Sequence, residues 1–280
     1  MDDFWKQTLA RARTTPLNVQ VERVTEPVPY EKYRLTYSSL DGIRVRAYLA
    51  VPSIGERAAA PVPAIVTAPG YGGWEFGVEL SECQRGYAVL QVYPRSQGES
   101  GELWKVEQAA DRAWLNHGKH SPEGFYYQGA YVDVIRGIDY LPTRPDVDGN
   151  RIGVMGTSQG GGIALAVAAL DPLLKAVVAH LPYLCDLRHN PAFAATDLGR
   201  DQQFLDTFEY FDPVQLAPRL RVPALLSSGG RDATSPPETI RAVFDRLAGI
   251  RSLVHYPDLT HTSCGEFYAL SWEWLNRWLK

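Results

Sequence analysis

The chain has 280 residues, of which 45% are hydrophobic and 21% charged, and a net charge of −4 at pH 7. This is ordinary globular composition, and the length suffices for one large hydrophobic core. The negative net charge, with Lys and Arg scattered rather than in a basic run, argues against nucleic acid or an anionic membrane surface as the main partner.

The N-terminus carries two acids, Asp2 and Asp3, and no long apolar run follows them. This is unlike a signal peptide or a membrane anchor. The three cysteines are widely spaced and form no Cys-x-x-Cys pair, so neither a zinc site nor a redox dithiol is predicted. They are Cys83, Cys185 and Cys264. We therefore expect a protein of the reducing cytoplasm that holds no metal.

The first half of the chain contains a predicted hairpin and two buried strands. Residues 1–30 are predicted to form an N-terminal arm, a helix followed by an extended segment. Residues 33–37 and 43–51 alternate apolar and polar side chains, which is typical of a β-hairpin. Two continuous apolar runs predict strands that are buried on both faces. These runs are 62–68 and 87–93.

The second half alternates helices and strands. Apolar residues at helical spacing predict a helix over 127–141, and Asp148-Gly149-Asn150 predicts a turn before a short strand at 152–155. Further strands are predicted at 175–179, 222–227 and 252–256, and helices at 163–170, 237–247 and 266–280. This alternation predicts a single α/β domain over 1–280, with a mostly parallel, doubly wound sheet and helices on both faces. Residues 184–212 fit neither class and are predicted to be a short cap or insertion over the site.

The most informative stretch is 151–162, where an apolar strand runs into Gly156-Thr157-Ser158-Gln159-Gly160 and an alanine-rich helix follows. This is the G-x-S-x-G nucleophile elbow in its strand–turn–helix context. A side chain at position 156 or 160 would collide with the neighbouring strand or helix, which explains the glycines. The alternative is a Gly-rich turn that packs a helix close to a sheet.

A serine nucleophile needs a base to take its proton and an acid to orient that base. Asp232 follows the strand at 222–227, and His261 follows the strand at 252–256. Both lie in loops after strands, at the sheet edge where open α/β sheets place their sites. We predict Ser158, Asp232 and His261 as the catalytic residues. Asp258 is a rival acid that is more typical of a turn cap, Asp232 is alternatively a helix-cap residue, and His261 a surface loop residue.

The oxyanion of the reaction needs two N–H donors. We predict the backbone N–H groups of Gln159, which follows the nucleophile, and of Tyr71, in the Gly-rich loop after the strand at 62–68. Tyr71, Trp74 and Tyr183 are predicted to line a small acyl pocket, with core packing as the alternative. No cofactor is expected, because Gly160-Gly161-Gly162 lacks the Lys-Ser/Thr of a phosphate loop.

Together these features resemble the acetyl xylan esterase / cephalosporin C deacetylase family of carbohydrate esterases. The resemblance runs from about residue 28 to the C-terminus and is carried by several stretches in order. They are 131–136, 147–148, 151–154, 158–161, 175–179, 182–186, 210–212, 216–217, Asp232 with Pro236-Pro237, and 256–258 leading to His261.

The resemblance implies an α/β-hydrolase that removes acetyl groups from small oligosaccharide esters and from the cephalosporin side chain. It assigns the triad to Ser158, Asp232 and His261, and the oxyanion hole to the N–H groups of Tyr71 and Gln159. It implies a homo-oligomer, a ring-like hexamer whose active sites face an internal chamber. It also implies that Arg95 and Gln97, in the stretch 94–98, brace the site.

Three features depart from the family pattern. Ser96 stands where the family has Gly, and Thr262 follows the predicted base where the family usually has Glu. Residues 187–209 are a shorter segment than in the family, where this insertion helps to wall the pocket and build subunit contacts.

We therefore expect a serine carboxylesterase that removes acetyl or other short acyl groups from carbohydrate or related small esters through an acyl-enzyme. One alternative is other α/β-hydrolase chemistry, of the dienelactone hydrolase or peptidase type. The other is a non-catalytic binding protein with the same fold, against which the complete Ser/Asp/His set argues.

Overall fold

The computed structural model describes residues 1–25, 30–52, 61–71, 79–106 and 113–280. These ranges contain nine strands in a single sheet. In chain order they are β1 Gln20–Val24, β2 Tyr30–Ser38, β3 Arg44–Pro52, β4 Val62–Thr67, β5 Ala88–Tyr93, β6 Val147–Thr157, β7 Leu174–His180, β8 Ala224–Gly229 and β9 Arg251–Tyr256. The order across the sheet is β1-β2-β3-β5-β4-β6-β7-β8-β9.

The neighbouring pairs β1–β2, β2–β3 and β3–β5 are antiparallel. The remaining pairs are parallel, and they are β5–β4, β4–β6, β6–β7, β7–β8 and β8–β9. The parallel part places the carboxyl ends of β4, β6, β7, β8 and β9 along one edge of the sheet. All six residues of β4 are buried, as its apolar composition predicts for a strand covered on both faces.

Helices cover both faces of this sheet. In the described ranges they are α1 Asp2–Thr14, α2 Glu79–Gln84, α3 Ala113–Asn116, α4 Tyr126–Tyr140, α5 Gln159–Leu170, α6 Pro191–Ala194, α7 Asp197–Arg200, α8 Gln202–Phe208, α9 Pro213–Leu216, α10 Pro237–Arg246 and α11 Gly265–Leu279. Successive residues of a strand join different apolar clusters: Val177 belongs to the cluster that contains residues of α4, α5 and α10, whereas Val178 belongs to the cluster that contains residues of α11. None of these helices combines the length and apolar character needed to cross a membrane.

The prediction of a mostly parallel sheet with helices on both faces is confirmed. The predicted hairpin is β2–β3, with its register centred on the turn at 40–42. The prediction of a turn at 148–150 is wrong, because these residues belong to β6 at a point where its register with β4 shifts. Asp148 Oδ1 accepts the N–H of Asn150 at 2.9 Å, a bond typical of turns that here lies inside a strand.

The first 30 residues contribute more than the predicted arm. Strand β1 forms one edge of the sheet, and α1 packs against the molecule through Trp5, which is buried. The Trp5 indole N–H donates to the carbonyl of Tyr210 at 2.8 Å, and its ring packs edge-on against Phe211. Because this contact is made at the C-terminal end of 184–212, α1 holds the base of that segment.

Residues 184–212 connect β7 to β8 through α6, α7 and α8. The two ends of the segment are joined by Asp212, whose Oδ1 accepts the N–H of Asp186 at 3.2 Å and caps α9 through the N–H of Val214 at 2.8 Å. Burial raises the pKa of Asp212 to about 7, and the two backbone donors only partly oppose this effect. A carboxyl group that anchors the segment therefore titrates near neutral pH.

We expect Asp212→Asn to change the pH dependence of stability. The folded-state pKa of Asp212 is raised, so its contribution is complete below its unfolded pKa near 3.8 and is lost as pH rises through about 7. Asparagine keeps the accepting oxygen and does not titrate. Between pH 5 and pH 8, the unfolding free energy of the wild type should fall relative to that of the variant by roughly 2 kcal/mol. Urea denaturation of both proteins at pH 5 and pH 8 measures this change. If the difference in unfolding free energy between wild type and variant were the same at the two pH values, the prediction would be refuted.

Candidate active site

Ser158 is held in an uncommon backbone conformation at the junction of β6 and α5. Its φ is 56° and its ψ is −123°, a combination that costs a non-glycine residue free energy. The Ser158 N–H donates to the carbonyl of His180 at 2.9 Å, and its own carbonyl accepts the N–H of Tyr183 at 2.8 Å. Two bonds from the end of β7 and the residues just after it therefore hold the elbow in place.

The flanking glycines allow the strand and helix to meet this closely. A Cβ at Gly156 would lie 2.3 Å from the carbonyl carbon of Gly160, and one at Gly160 would lie 2.2 Å from the carbonyl oxygen of Ala68. Both distances are far below a van der Waals contact and involve backbone atoms that cannot swing aside. The sequence argument for glycine at these two positions is therefore confirmed.

The structure brings Ser158, His261 and Asp232 together in one chain of hydrogen bonds. His261 Nε2 lies 2.8 Å from Ser158 Oγ, and His261 Nδ1 lies 2.7 Å from Asp232 Oδ2. In the neutral imidazole that bonds both neighbours, Nδ1 donates to the carboxylate and Nε2 accepts from the serine hydroxyl. This is the geometry in which a histidine takes the proton of a serine nucleophile.

Asp232 is buried and its second oxygen is also satisfied. Oδ1 accepts the N–H groups of Thr234 at 2.9 Å and Ser235 at 2.8 Å, which leaves Oδ2 directed at His261. The rival acid Asp258 lies at the surface, where its side chain is 84% exposed and pairs with Arg231. Of the two candidate acids, the structure therefore places Asp232 against the imidazole.

The two predicted oxyanion donors belong to segments that contact each other. Gln159 is the first residue of α5, so its N–H has no acceptor in the preceding turn of that helix. Its side-chain Nε2 lies 3.3 Å from the carbonyl oxygens of both Pro69 and Gly70, and the structure describes this loop as far as Tyr71. The side chain of Gln159 therefore fixes the loop that carries the N–H of Tyr71.

Gln97 extends this contact into the protein interior. Its Oε1 accepts from Gln159 Nε2 at 3.0 Å, and its Nε2 donates to the hydroxyl of Tyr126 at 2.8 Å. The Tyr126 hydroxyl donates in turn to the carbonyl of Arg95 at 2.7 Å, and the Tyr127 hydroxyl donates to Gln159 Oε1 at 2.8 Å. Burial raises the pKa of both tyrosines, so their hydroxyls stay protonated and keep these roles.

Arg95 ends the network in a buried ion pair. Its Nε and Nη2 lie 3.0 and 2.8 Å from the two carboxylate oxygens of Asp133, and its backbone N–H donates to the same group at 2.7 Å. Burial lowers the pKa of Arg95, but the charge and hydrogen bonds of Asp133 outweigh burial, so the net pKa is raised and the group stays cationic. The pair fixes the backbone of residue 95, whose carbonyl receives the Tyr126 hydroxyl.

Aromatic rings gather beside the loop that ends at Tyr71, the predicted oxyanion donor. The Tyr71 ring lies 6.3 Å from that of Tyr183, edge to face, and 4.7 Å from that of Trp114. Trp74, the third predicted pocket residue, lies outside the described residues. The structure thus brings together two of the three predicted side chains and adds Trp114, which sequence reasoning missed.

Ser96, the first departure from the family pattern, has a specific place here. Its φ is 66°, a value that favours glycine, and its hydroxyl accepts the N–H of Val106 at 3.0 Å and the indole N–H of Trp114 at 3.4 Å. These bonds account for a serine at a position of positive φ. They also attach Trp114 to the stretch that contains Arg95 and Gln97.

Sequence reasoning also missed His180, the last residue of β7. No signal in the local sequence distinguishes it, because its partners come from β8 and from the loop after His261. The described part of the chain contains no group of three or more His, Cys, Asp or Glu side chains that could hold a metal ion.

Comparison with known proteins gives a consistent family. The model of the acetyl xylan esterase (AXE1) family matches residues 1–278. Acetyl esterase Axe7A of Xylanibacter ruminicola is 27% identical over the whole chain, which spans 67% of that protein. An acetyl xylan esterase structure from a Paenibacillus species is 28% identical with a TM-score of 0.90, covering 99% of this chain and 94% of that one. An esterase of the same description from a Thermoanaerobacterium species, 24% identical with a TM-score of 0.89, covers 99% and 92% and supports the fold.

The Arg95–Asp133 pair depends on a glycine in α4. A Cβ at Gly129 would lie 2.2 Å from the Arg95 guanidinium carbon, and two hydrogen bonds from the guanidinium to Asp133 hold that group in place. We expect Gly129→Ala to lower the unfolding free energy by roughly 2 kcal/mol through overpacking. Gly265→Ala is the matched control, because nothing lies within 4 Å of a Cβ there. Thermal unfolding of both variants measures the effect, and equal melting temperatures would contradict this account.

Proposed function

The chain belongs to the acetyl xylan esterase family of carboxylic ester hydrolases, and we propose that it removes acetyl groups from carbohydrate esters by Ser158-His261-Asp232 catalysis. The observation that carries the proposal is the unbroken chain of hydrogen bonds from Ser158 Oγ through His261 to Asp232, at 2.8 and 2.7 Å. Family membership supports the substrate class, and this geometry supports the mechanism.

In the first half-reaction, Ser158 Oγ attacks the ester carbonyl carbon while His261 Nε2 takes the hydroxyl proton. Asp232 keeps Nδ1 protonated and stabilises the imidazolium that forms. The carbonyl oxygen becomes an oxyanion held by the N–H groups of Gln159 and Tyr71. His261 then protonates the oxygen of the leaving alcohol, the C–O bond breaks, and the acetyl group remains on Ser158.

In the second half-reaction, water attacks the acetyl carbonyl and gives a proton to His261. The same N–H groups hold the second oxyanion, and the imidazolium returns its proton to Ser158 Oγ as acetate leaves. The oxyanion donors must keep their places through both half-reactions. The contacts of Gln159 with Pro69, Gly70 and Gln97 serve this purpose, because loss of one such donor typically raises the barrier by about 3 kcal/mol.

The aromatic rings beside the loop favour a short acyl group. Tyr183 follows β7, its backbone N–H donates to the Ser158 carbonyl, and its ring meets that of Tyr71, so we place the acyl group beside these two rings. Bulk of this kind limits acyl length by volume, so acetyl esters should fit this site better than esters of long acyl chains.

Ser158→Ala should abolish hydrolysis. The wild type should release acetate from acetylated xylooligosaccharides, cephalosporin C and p-nitrophenyl acetate, and the variant should lose at least about 10⁴-fold in kcat/KM. Ser252→Ala, on β9, is the control and should retain full activity. Equal activity of the Ser158 variant, or a wild type that prefers lactone or peptide substrates to acetyl esters, would reject the proposal.

Tyr183→Ala should widen the acyl specificity. The backbone N–H of Tyr183 that holds Ser158 is unaffected, so acetate release should persist while the ratio of kcat/KM for hexanoate over acetate rises about tenfold. Tyr183→Phe keeps the ring and should behave as the wild type. A series of p-nitrophenyl esters from two to eight carbons measures the ratio. An unchanged ratio would remove Tyr183 from the acyl pocket.

A further inference from the structure

His180 bonds to both catalytic loops at once. Its backbone carbonyl accepts the N–H of Ser158 at 2.9 Å, and its imidazole Nε2 lies 3.2 Å from the carbonyl oxygen of Thr262, the residue after His261. It is the last residue of β7 and pairs with Thr157 of β6. A single, largely buried residue therefore joins the segment of the nucleophile, through its backbone carbonyl, to that of the base, through its imidazole.

The hydrogen bonds around the ring assign its tautomer. Because the Thr262 carbonyl can only accept, Nε2 must carry the proton, and in the neutral ring Nδ1 then accepts from the Ser227 hydroxyl at 2.6 Å. The Ser227 oxygen accepts the N–H of Leu181 at 3.1 Å, so its own hydrogen is available to Nδ1. Burial lowers the pKa of His180, which agrees with a neutral ring.

The position of this ring matters because of how the loop of His261 is held. Before His261, the loop that follows β8 is bonded to the loop that follows β9. The N–H of Gly230 donates to the carbonyl of Tyr256 at 2.8 Å, and the N–H of Arg231 donates to the carbonyl of Leu259 at 3.0 Å. After His261, the Thr262 carbonyl meets His180, and the His180 ring stacks on Phe267 of α11 at 4.9 Å. The base thus sits between two anchored ends, and the second anchor is His180.

We infer that His180 is a positioning residue for the proposed esterase reaction, holding the loop of His261 in register with Ser158 through the Thr262 carbonyl. This inference rests on the proposed function. Misplacement of a catalytic group by about 1 Å costs on the order of 100-fold in rate, although ground-state binding of the ester does not depend on it. Removal of the bond should therefore lower kcat and leave KM almost unchanged.

The test compares two replacements at this position. His180→Leu keeps similar bulk against Phe267 but has no donor, and we expect kcat for p-nitrophenyl acetate to fall 10- to 100-fold with KM within about twofold. His180→Gln places an amide N–H near the position of Nε2, and we expect kcat within about threefold of the wild type. A purely structural role would not be rescued by an amide of different shape.

The chain offers a matched control. His255 of β9 is also bonded through Nδ1 to a serine hydroxyl, that of Ser228 at 3.0 Å, but it is exposed, and this bond joins it to β8 rather than to the loop of His261. His255→Leu should leave both kcat and KM unchanged. Melting temperatures of all variants separate loss of fold from loss of positioning.

The rate at which a fluorophosphonate labels Ser158 is the second measurement, because it depends on activation by His261 and on no particular ester. If the wild type is labelled quickly but hydrolyses no acetyl ester, the proposed substrate fails, and slower labelling of His180→Leu still supports the inference. The inference would be overturned if His180→Leu had the same kcat and labelling rate as the wild type. It would also be overturned if the Leu and Gln variants both folded and lost kcat equally. If neither variant folds, Ser227→Ala decides: an unchanged labelling rate would overturn the inference, and a slower one would support it.

Discussion

The arrangement of the site depends on the left-handed backbone of one residue, Ser158. Holding a serine at a φ of 56° costs of the order of 1–3 kcal/mol, and the neighbouring chain must offset that cost. His180 and Tyr183 do so by taking up the N–H and the carbonyl of Ser158. Both residues come from the end of β7 and just beyond it, so the central parallel pair β6–β7 is the frame from which the hydroxyl is presented.

A different feature, a buried polar network, holds the loop at Pro69 and Gly70 that precedes the proposed oxyanion donor Tyr71. A buried ion pair gains little net stability, because desolvation offsets most of its Coulomb energy. Its value at this place is geometric: Arg95 and Asp133 fix one end of a chain of amide and hydroxyl groups that ends at Gln159. Burial raises the pKa of Tyr126 and Tyr127, so both hydroxyls stay protonated and remain donors in this chain.

Much of this could be predicted from sequence because it depends on strand ends. Ser158, Asp232 and His261 each follow an apolar strand, and parallel strands bring their carboxyl ends to one edge without any knowledge of side-chain packing. The contact of Gln97 with Gln159 depends instead on the directions of two long side chains that are 62 positions apart, and no periodicity encodes those directions. The turn predicted at 148–150 lies instead inside β6, in the irregular stretch between Val147 and Ile152 where the register with β4 shifts, and the local sequence Asp-Gly-Asn does not show that the strand continues through it.

The two histidine–serine pairs at β8 show where sequence reasoning stops. Ser227 and Ser228 are adjacent, and each bonds the Nδ1 of a histidine from a neighbouring strand. Successive side chains of a strand point to opposite faces, so Ser227 meets His180 beside α11 and the loop of His261, whereas Ser228 meets His255 at an exposed position. In the sequence the two pairs look equivalent. Among the described residues, only the hydrogen bond between Nε2 of His180 and the Thr262 carbonyl connects one pair to the loop of His261, and the other pair has no such bond.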